Sequence, residues 1–396
     1  MLTLDKVFNA QTVLKNIIRE TNVVRAYGIA TDCELYLKPE NLQITGSFKV
    51  RGSAYKIAML SDEEKEKGVI ACSAGNHAQG VALAATKNGI KSLICLPDTA
   101  PISKVEATKG FGAEVCLVEG CYDDAYKKAL ELRDSEGYTF VHPFDDENVI
   151  AGQGTIALEI LNDLDNIDAI VVPIGGGGLI SGIAYTAKQI RPSVKVYGVQ
   201  VAGAPSMYNS VKDGEIECLS SVSTIADGIA VKQPGENTFR YVSEYVDEIA
   251  LVTDDEVASA ILALIEKQKM IAEGAGATAV AAVMAGKFNL KGKRVVAVVS
   301  GGNIDVTSLS RVIDRGLLNS GRSSSLLIEL IDKPGQLKEI SRIIADCGGN
   351  VTGVHYEKGN TESVNGCFLR IEMETKDFSR VNFITKTLRD EGFKLV

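Results

Sequence analysis

The stretch "DAIVVPIGGGGLISG", residues 168–182, contains the pattern that decides the fold. A run of apolar, mostly β-branched residues leads directly into four glycines, and a segment with helical spacing follows them. Such a run is typical of a strand buried on both faces, and the glycines indicate a tight turn from that strand into a helix.

Similar apolar runs alternate with amphipathic helical patterns from about residue 30 to residue 305. The runs are "CELYLK", "GVIACS", "KSLICLP", "AEVCLV", "YTFVHP", "VKVYGVQV" and "KRVVAVVS", and the helical patterns include "HAQGVALAATKNG", "YDDAYKKALELRDSEG" and "EVASAILALIEKQKM". Alternation of buried strands with helices predicts an α/β fold with parallel sheets. In such sheets ligands bind outside the carboxyl ends of the strands, which is where the glycine-rich turns fall.

Composition excludes several classes of function. The net charge of −9 and the isoelectric point near 5.1 argue against a nucleic-acid partner, which would need a basic face. No apolar run approaches the ~20 residues of a membrane span, and the N-terminus does not resemble a secretory signal, so we expect a cytoplasmic protein. The eight scattered cysteines form no C-x-x-C pair and indicate a reducing compartment. The three histidines are far apart in sequence, so neither a zinc site nor a histidine relay is expected, and we predict no metal ligands.

The last part of the chain has a different pattern. After the polar connector "NSGRSS", residues 319–324, come "SLLIELI", "GQLKEISRIIADCGG", "VTGVHYEKG", "GCFLRIEM", "SRVNFITKTLRDEG" and "FKLV". This β-α-β-β-α-β order is the ferredoxin-like arrangement. Because 396 residues exceed what one core usually holds, we predict a first domain at residues 1–318, a linker at 319–324 and a second domain at 325–396.

Three turns after strands offer groups for a ligand. In "GGGGLISG", residues 175–182, the glycines and the helix start favour a phosphate cradle. A dinucleotide site is not matched, because Gly175 and Gly177 are followed by Ile180 and the next strand ends at Gln200 rather than at an acid. A tight structural turn is the other interpretation of the glycines.

The other two turns are "SAGNHAQG", residues 73–80, and "SGGN", residues 300–303. The first can hold a carboxylate on its backbone N–H groups while Asn76 donates to a ligand oxygen; Asn76 as a helix cap is the alternative. The hydroxyl of Ser300 can contact a ligand nitrogen, and capping of the next helix is again the alternative.

In "TGSFKVRG", residues 45–52, a lysine follows a glycine turn at the start of a helical pattern. The positive end of the helix dipole and desolvation both lower the pKa of an amine at Lys49. An amine that forms an imine needs a lowered pKa, whereas a surface lysine does not.

These four motifs, in this order and spacing, resemble the threonine/serine dehydratases, pyridoxal-phosphate enzymes of the tryptophan-synthase-β type. The resemblance covers nearly all of residues 1–318 and implies PLP fold type II, with two open α/β sheet subdomains and the smaller one, roughly residues 45–145, inserted in the larger. The tail resembles an ACT domain, whose "D-x-P-G-x-L" hallmark stands at residues 332–337.

The resemblance also implies a role for each motif residue. Lys49 would carry pyridoxal phosphate as an imine and act as the catalytic base, with Phe48 beside the cofactor ring. Asn76 would bond the ring hydroxyl oxygen, and Ser300 would meet the pyridine nitrogen. The phosphate would be held by main-chain N–H groups of Gly175, Gly176, Gly177, Gly178 and Leu179, and the substrate carboxylate by the turn Ser73, Ala74, Gly75, Asn76 and His77.

The implied reaction converts L-threonine to 2-oxobutanoate and ammonia, with L-serine to pyruvate as a slower reaction. A serine at the pyridine nitrogen makes the ring a weaker electron sink than an aspartate would, which favours loss of a β-leaving group over transamination. Serine racemases carry serine where this chain has Ala74, and cysteine synthases use a Thr-Ser-Gly-Asn-Thr-Gly loop, so neither activity is expected. A non-catalytic amino-acid sensor, in which Lys49 only neutralises a carboxylate, is the competing class.

For the tail, the resemblance implies a regulatory site for an amino acid such as isoleucine or valine, with Gly335, Leu337 and Asn350 as candidate contacts. A domain that only dimerises is the alternative. A homodimer or homotetramer is the family expectation. Isoleucine synthesis and threonine breakdown are both open as the pathway, and so is the need for a cation.

Overall fold

The computed structural model describes residues 1–30, 32–358 and 366–396, which form two compact units, Met1–Leu309 and Ser310–Val396. Within those residues the strands are β1 Val24–Arg25, β2 Glu34–Pro39, β3 Val69–Cys72, β4 Ser92–Pro97, β5 Glu114–Val118, β6 Thr139–Phe140, β7 Ala169–Pro173, β8 Lys195–Val201, β9 Glu248–Val252, β10 Arg294–Val299, β11 Ser323–Ile331, β12 Asn350–Lys358, β13 Gly366–Glu374 and β14 Lys394–Leu395.

The α-helices in the described residues are α1 Leu4–Leu14, α2 Lys49–Ala58, α3 Asp62–Lys67, α4 Asn76–Lys87, α5 Ile102–Gly110, α6 Tyr122–Glu136, α7 Glu147–Asp163, α8 Gly178–Ile190, α9 Ser206–Asp213, α10 Glu236–Tyr245, α11 Asp254–Ala263, α12 Gly274–Met284, α13 Val306–Asn319, α14 Gln336–Asp346 and α15 Phe378–Asp390. None of them has the length and apolar character needed to span a bilayer.

The first unit contains two α/β sheets, as predicted. The larger has the order β1-β2-β10-β7-β8-β9 and is parallel except at β1. Its central strands β7, β8 and β10 form a hydrophobic core with α7 and α8. The smaller sheet, β5-β4-β3-β6, is wholly parallel, with α2 and α4 packed on one face and α6 on the other. Its strands lie between β2 and β7 in the chain, so the small sheet is an insertion in the large one.

The apolar runs identified in the sequence all contain strands, but two further strands, β1 and β9, were not predicted. β1 has only two residues, and β9 is a partly exposed edge strand, so neither shows the fully apolar pattern of a buried strand. The helical pattern "EVASAILALIEKQKM", residues 256–270, does contain a helix, α11, although not a uniform one. That helix ends at Ala263 and is followed by a π-helical turn, Leu264–Gln268, and by Lys269 in the left-handed region with φ +58°.

The second unit has the predicted ferredoxin-like topology. Its antiparallel sheet has the order β12-β13-β11-β14, and α14 and α15 pack against it around a core of isoleucine, leucine, cysteine and methionine. Helix α13 crosses the division between the units, and β11 already begins at Ser323. The domain limits 1–318, 319–324 and 325–396 therefore stay predictions.

Candidate active site

The start of α2 is fixed to the segment that follows β10. Phe48 N–H donates to the carbonyl oxygen of Ser300 at 3.1 Å, and Asn303 Nδ2 donates to the carbonyl oxygen of Thr45 at 2.7 Å. Gly46 between them has φ +70°, a conformation that glycine adopts at little cost. The "TGSFKVRG" and "SGGN" motifs, about 250 residues apart in the chain, are thereby joined.

Lys49 is the first residue of α2, and the residue is half-buried. Nζ donates to the carbonyl oxygen of Pro143 at 2.8 Å. Burial lowers the pKa of this amine to about 8, and the Glu273 carboxylate opposes part of that shift. The amine of lowered pKa expected from the sequence is therefore present.

Asn76 begins α4 but does not cap it. Gly75 occupies the cap position, while Asn76 Nδ2 donates to Glu273 Oε1 at 2.6 Å and Asn76 Oδ1 accepts from Asn303 Nδ2 at 2.7 Å. The helix-cap interpretation of Asn76 is therefore wrong. The two hydrogen bonds fix which way the amide faces, and the bond to Glu273 uses only one of the two N–H bonds of Nδ2.

Glu273 is a residue of this candidate site that was not predicted from the sequence. Its side chain is buried, with 5% relative exposure, directly before α12. Burial, and secondarily the negative charge of Asp227, raise the pKa of its carboxyl to about 7. One signal could have found it, since Glu273 is the only charged residue in the run "MIAEGAGATAVAAVMAG", residues 270–286.

The glycine tetrad forms the turn from β7 into α8. Gly177 has φ +99°, and α8 begins at Gly178, so the first-turn N–H groups of α8 point out of this turn. Close packing explains the other glycines. A Cβ added to Gly176 would lie 2.5 Å from the ring of Phe144, one added to Gly178 would lie 2.8 Å from the Phe144 oxygen, and one added to Gly175 would lie 3.1 Å from Ile229. The structural-turn interpretation thus accounts for the tetrad, and the same helix start can hold an anion.

A loop after β6, residues 141–146, connects Lys49 with the glycine tetrad. Pro143 accepts from the Lys49 amine, and Phe144 covers the tetrad. His142 Nδ1 accepts from the backbone N–H groups of Phe144 and Asp145 at 3.2 and 2.7 Å, which holds the loop in shape. The loop was not predicted, because its first three residues, 141–143, end the apolar run "YTFVHP" and the next three, "FDD", show no periodic pattern.

His77, near the start of α4, is buried, and both of its ring nitrogens face groups of the first unit. Its Nε2 donates to the carbonyl oxygen of Val141 at 2.8 Å, and its Nδ1 faces Ser53 Oγ at 3.4 Å. Burial, reinforced by the charge of Lys49, lowers the pKa of His77 to about 3, so the ring is neutral at physiological pH. Ser73 Oγ accepts from Gly75 N–H at 3.2 Å, and a Cβ added to Gly75 would meet no atom within 4 Å, so Gly75 faces open space.

The remaining predicted residues are placed as follows. Ser300 is buried, and its hydroxyl donates to the carbonyl oxygen of Ala275 at 3.3 Å. Ala74 is half-buried beside the hydrophobic core that α2 and α4 share. In the second unit, Gly335 has φ +96° at the start of α14, Leu337 is exposed, and Asn350 Nδ2 donates to Glu374 Oε2 at 3.2 Å.

Comparisons with known proteins agree with this geometry. The model of a family described as pyridoxal-phosphate dependent enzyme matches residues 14–301. An L-threonine ammonia-lyase of Thermotoga maritima is 48% identical over 398 residues, covering 100% of this chain and 99% of the relative. The processed form of threonine deaminase isoform 2 from Solanum lycopersicum has a TM-score of 0.75 and 38% identity over 78% of this chain and 93% of that one. Maize serine racemase has a TM-score of 0.75 and 34% identity over 80% and 98% of the two chains.

The residues present fit pyridoxal phosphate. The cofactor needs an amine for covalent attachment, an anion cradle and a partner for its ring nitrogen. Lys49 supplies a desolvated amine, the start of α8 supplies N–H groups, and Ser300 supplies a neutral hydroxyl. Asn76, with its amide orientation fixed from both sides, can donate to the ring oxygen.

Proposed function

The chain belongs to the family of pyridoxal-phosphate-dependent enzymes, and we propose that it is an L-threonine ammonia-lyase, producing 2-oxobutanoate and ammonia, with L-serine giving pyruvate as a secondary reaction. One observation carries this proposal: Lys49, Asn76 and Ser300 lie on three separate motifs that hydrogen bonds bring to one place. The full-length similarity to an L-threonine ammonia-lyase supports it.

The chemistry divides between the cofactor and the chain. Pyridoxal phosphate, when bound through Lys49, supplies an electron sink for the electrons of the broken α-carbon bond. Once the substrate has taken its place, the Lys49 amine is free to accept the α-proton as a general base, for which a pKa of about 8 is suited. The first-turn N–H groups of α8 would hold the phosphate. Asn76, whose amide is held by Glu273 and Asn303, would bond the ring oxygen.

Ser300 directs the outcome of the reaction. A neutral hydroxyl at the ring nitrogen would not stabilise a protonated ring as a carboxylate would, so the cofactor would be a weaker electron sink here. Departure of the β-hydroxyl group is then the faster route. The turn Ser73–His77 presents backbone N–H groups for the substrate carboxylate, and the open side of Gly75 leaves room for it.

Serine racemisation is the second candidate function, because maize serine racemase has a closely similar fold. Position 74 argues against it here. Alanine has no group that can give or take a proton, so position 74 cannot supply the second base that racemisation needs. Incubation with L-serine is expected to yield pyruvate and no D-serine; accumulation of D-serine would favour the racemase.

Attachment of the cofactor to Lys49 tests the function directly. Purified holoenzyme should be yellow and should form 2-oxobutanoate from threonine. Borohydride reduction followed by peptide mapping should place the label on Lys49, and Lys49→Ala should abolish both colour and product. Lys87→Ala, at an exposed lysine on the last turn of α4, is the control and should retain both. A colourless protein that binds isoleucine without forming a keto acid would instead indicate an amino-acid sensor.

Further proposals concern the rest of the molecule. The second unit is an ACT regulatory domain whose effector is an amino acid, with Gly335, Leu337 and Asn350 as contacts. The protein works as a homodimer or homotetramer, in isoleucine synthesis or threonine breakdown. Its eight cysteines are all free thiols, which supports a cytoplasmic location.

A further inference from the structure

We propose that a buried ion-pair network centred on Arg51 positions Lys49 for the cofactor, so that Arg51 is a positioning residue of this enzyme. The proposal rests on pyridoxal-phosphate binding by the family and not on the identity of the substrate. The network consists of Arg51 and Lys38 with the carboxylates of Glu40 and Glu159, and we call it the Arg51 network.

Arg51 uses every hydrogen-bond donor it has. Its Nε and Nη2 donate to the two carboxylate oxygens of Glu40, both at 2.8 Å. Its Nη1 and Nη2 donate to the two oxygens of Glu159 at 2.6 and 2.8 Å, and Nη1 also reaches Thr155 Oγ1 at 3.1 Å. A guanidinium group has five N–H bonds, so the fit around Arg51 is complete.

Lys38 and Thr21 complete the Arg51 network. Lys38 Nζ donates to Glu159 Oε2 at 2.5 Å and to the carbonyl oxygen of Thr21. Thr21 Oγ1 donates to Glu40 Oε1 at 2.5 Å. Two positive and two negative side chains are thus enclosed together, three of them with no exposed surface and Glu159 with 6%.

Such a network is poor evidence for stability. Removing charges from water costs several kcal/mol for each ion, and buried ion pairs are often replaced by apolar residues with no loss of stability. A buried network of this kind is better explained by the geometry that it enforces. The question is then which part of the molecule needs that geometry.

The Arg51 network ties the start of α2 to the strand beside Ser300. Glu40 directly follows β2, and β2 pairs in parallel with β10, where Pro39 is the partner of Val299. Glu40 and Ser300 are therefore the next residues on two neighbouring strands. Through Glu40, Arg51 connects the helix turn that carries Lys49 with the strand end that carries the ring-nitrogen partner.

Backbone packing leaves α2 little freedom on its other sides. A Cβ added to Gly80 of α4 would lie 3.1 Å from the Lys49 carbonyl carbon, and one added to Gly152 of α7 would lie 2.6 Å from the Arg51 oxygen. The helix start is therefore held closely between two neighbouring helices, whose glycines approach its backbone. The Arg51 network adds the remaining constraint, because Glu159 lies on α7 and fixes the helix against sliding.

The influence on Lys49 is one of position rather than of charge. The Arg51 network has no net charge, and the carboxylate that acts on the Lys49 amine is Glu273, which lies outside it. Replacing Arg51 should therefore act by moving the amine. A displacement of about 1 Å at a reacting group can lower a rate ~100-fold.

Arg51→Lys in the holoenzyme is the test, since lysine keeps the charge but cannot bond both carboxylates in a bidentate manner. We expect kcat to fall at least about tenfold while KM for threonine changes less than ~3-fold. The pH midpoint of the bound cofactor's visible absorption band should shift by at least ~0.5 unit, and hydroxylamine should release the cofactor faster. These spectral readouts need no substrate, so they remain valid if the threonine assignment fails.

Two further variants keep the test decisive. Lys287→Met breaks the half-buried pair with Glu256 and should lower the melting temperature without moving the absorption midpoint. Thr155→Val removes one hydrogen bond to Arg51 and no charge. If Arg51→Lys does not fold, the same measurements are made on Thr155→Val. The proposal is wrong if the folded Arg51 or Thr155 variant loses stability but keeps the wild-type midpoint, cofactor release rate and kcat.

Discussion

At the scale of single residues, the site depends on two groups that change charge near neutral pH. The Lys49 amine has a pKa of about 8 and the Glu273 carboxyl a pKa of about 7, both because burial penalises their charged forms. Lys49 could be predicted from the sequence, because a glycine turn and a helix start are local features. Glu273 could be noticed as the one charge in an apolar run, but its raised pKa could not be predicted, because Asn76 and Asp227, which act on it, are distant in the chain.

Glu273→Gln should remove a titration from the activity profile. In the wild type, loss of the Glu273 proton as pH rises through about 7 strengthens the hydrogen bond that orients Asn76, so kcat/KM for threonine should rise there. Glutamine can still accept that bond but does not titrate. The variant should therefore lack the step near pH 7, and an unchanged step would contradict this role.

His77→Gln should reduce the loss of stability in acid. The pKa of His77 is lowered from 6.5 to about 3 in the folded protein, so the unfolded chain binds a proton that the native protein does not. This stabilising contribution is complete above pH 6.5 and is lost as pH falls toward 3. The free energy of unfolding, measured with urea at pH 7.5 and at pH 5, should differ less between the two pH values for the variant than for the wild type. If the variant and the wild type lose the same stability between these pH values, His77 is protonated in the folded protein at pH 5.

At the scale of helices and strands, the pattern of burial decided what could be predicted. Strands β7, β8 and β10 are buried over nearly their whole length and are mostly apolar, so the sequence shows them clearly. The short edge strands β1 and β9 and the π-helical turn after α11 have no such pattern. The loop at residues 141–146 was missed for the same reason, although it connects Lys49 with the glycine tetrad.

Gly176→Ala tests how closely that loop and the tetrad pack. The added methyl group would overlap the ring of Phe144 and displace the turn that begins α8. We expect affinity for pyridoxal phosphate to fall by at least about tenfold, because the N–H groups of that turn lose their alignment. Titration of the apoprotein with the cofactor, followed by absorbance, measures this.

Gly110→Ala is the control for Gly176→Ala. Gly110 ends α5, and a Cβ there would meet no atom within 4 Å. This variant should bind the cofactor as the wild type does. If Gly176→Ala also binds normally, the tetrad does not hold the phosphate.

At the scale of the whole molecule, two units with different topologies share one chain. The ferredoxin-like order of the second unit could be predicted because each of its elements has a clear period. Its ligand could not, because Gly335 and Leu337 offer a backbone turn and an apolar side chain, which many amino acids can match. Activity and regulation are therefore expected to be separable.

Deletion of residues 320–396 should leave threonine dehydration and abolish any response to amino acids. The shortened chain keeps all of α13 and every residue of the candidate active site. Steady-state rates with and without isoleucine and valine provide the measurement, with the full chain as the control. Inhibition by isoleucine that survives the deletion would place the effector site in the first unit.

The place of β10 in the large sheet has a consequence for how the protein is made. β10 lies between β2 and β7, yet it is the last of the three to leave the ribosome. Until residue 299 has emerged, β2 has no neighbour on that side, and neither Ser300 nor Asn303 can reach the turn before Lys49. A nascent chain can therefore fold its small sheet early, but the vitamin B6 pocket closes only near the end of translation of the first unit.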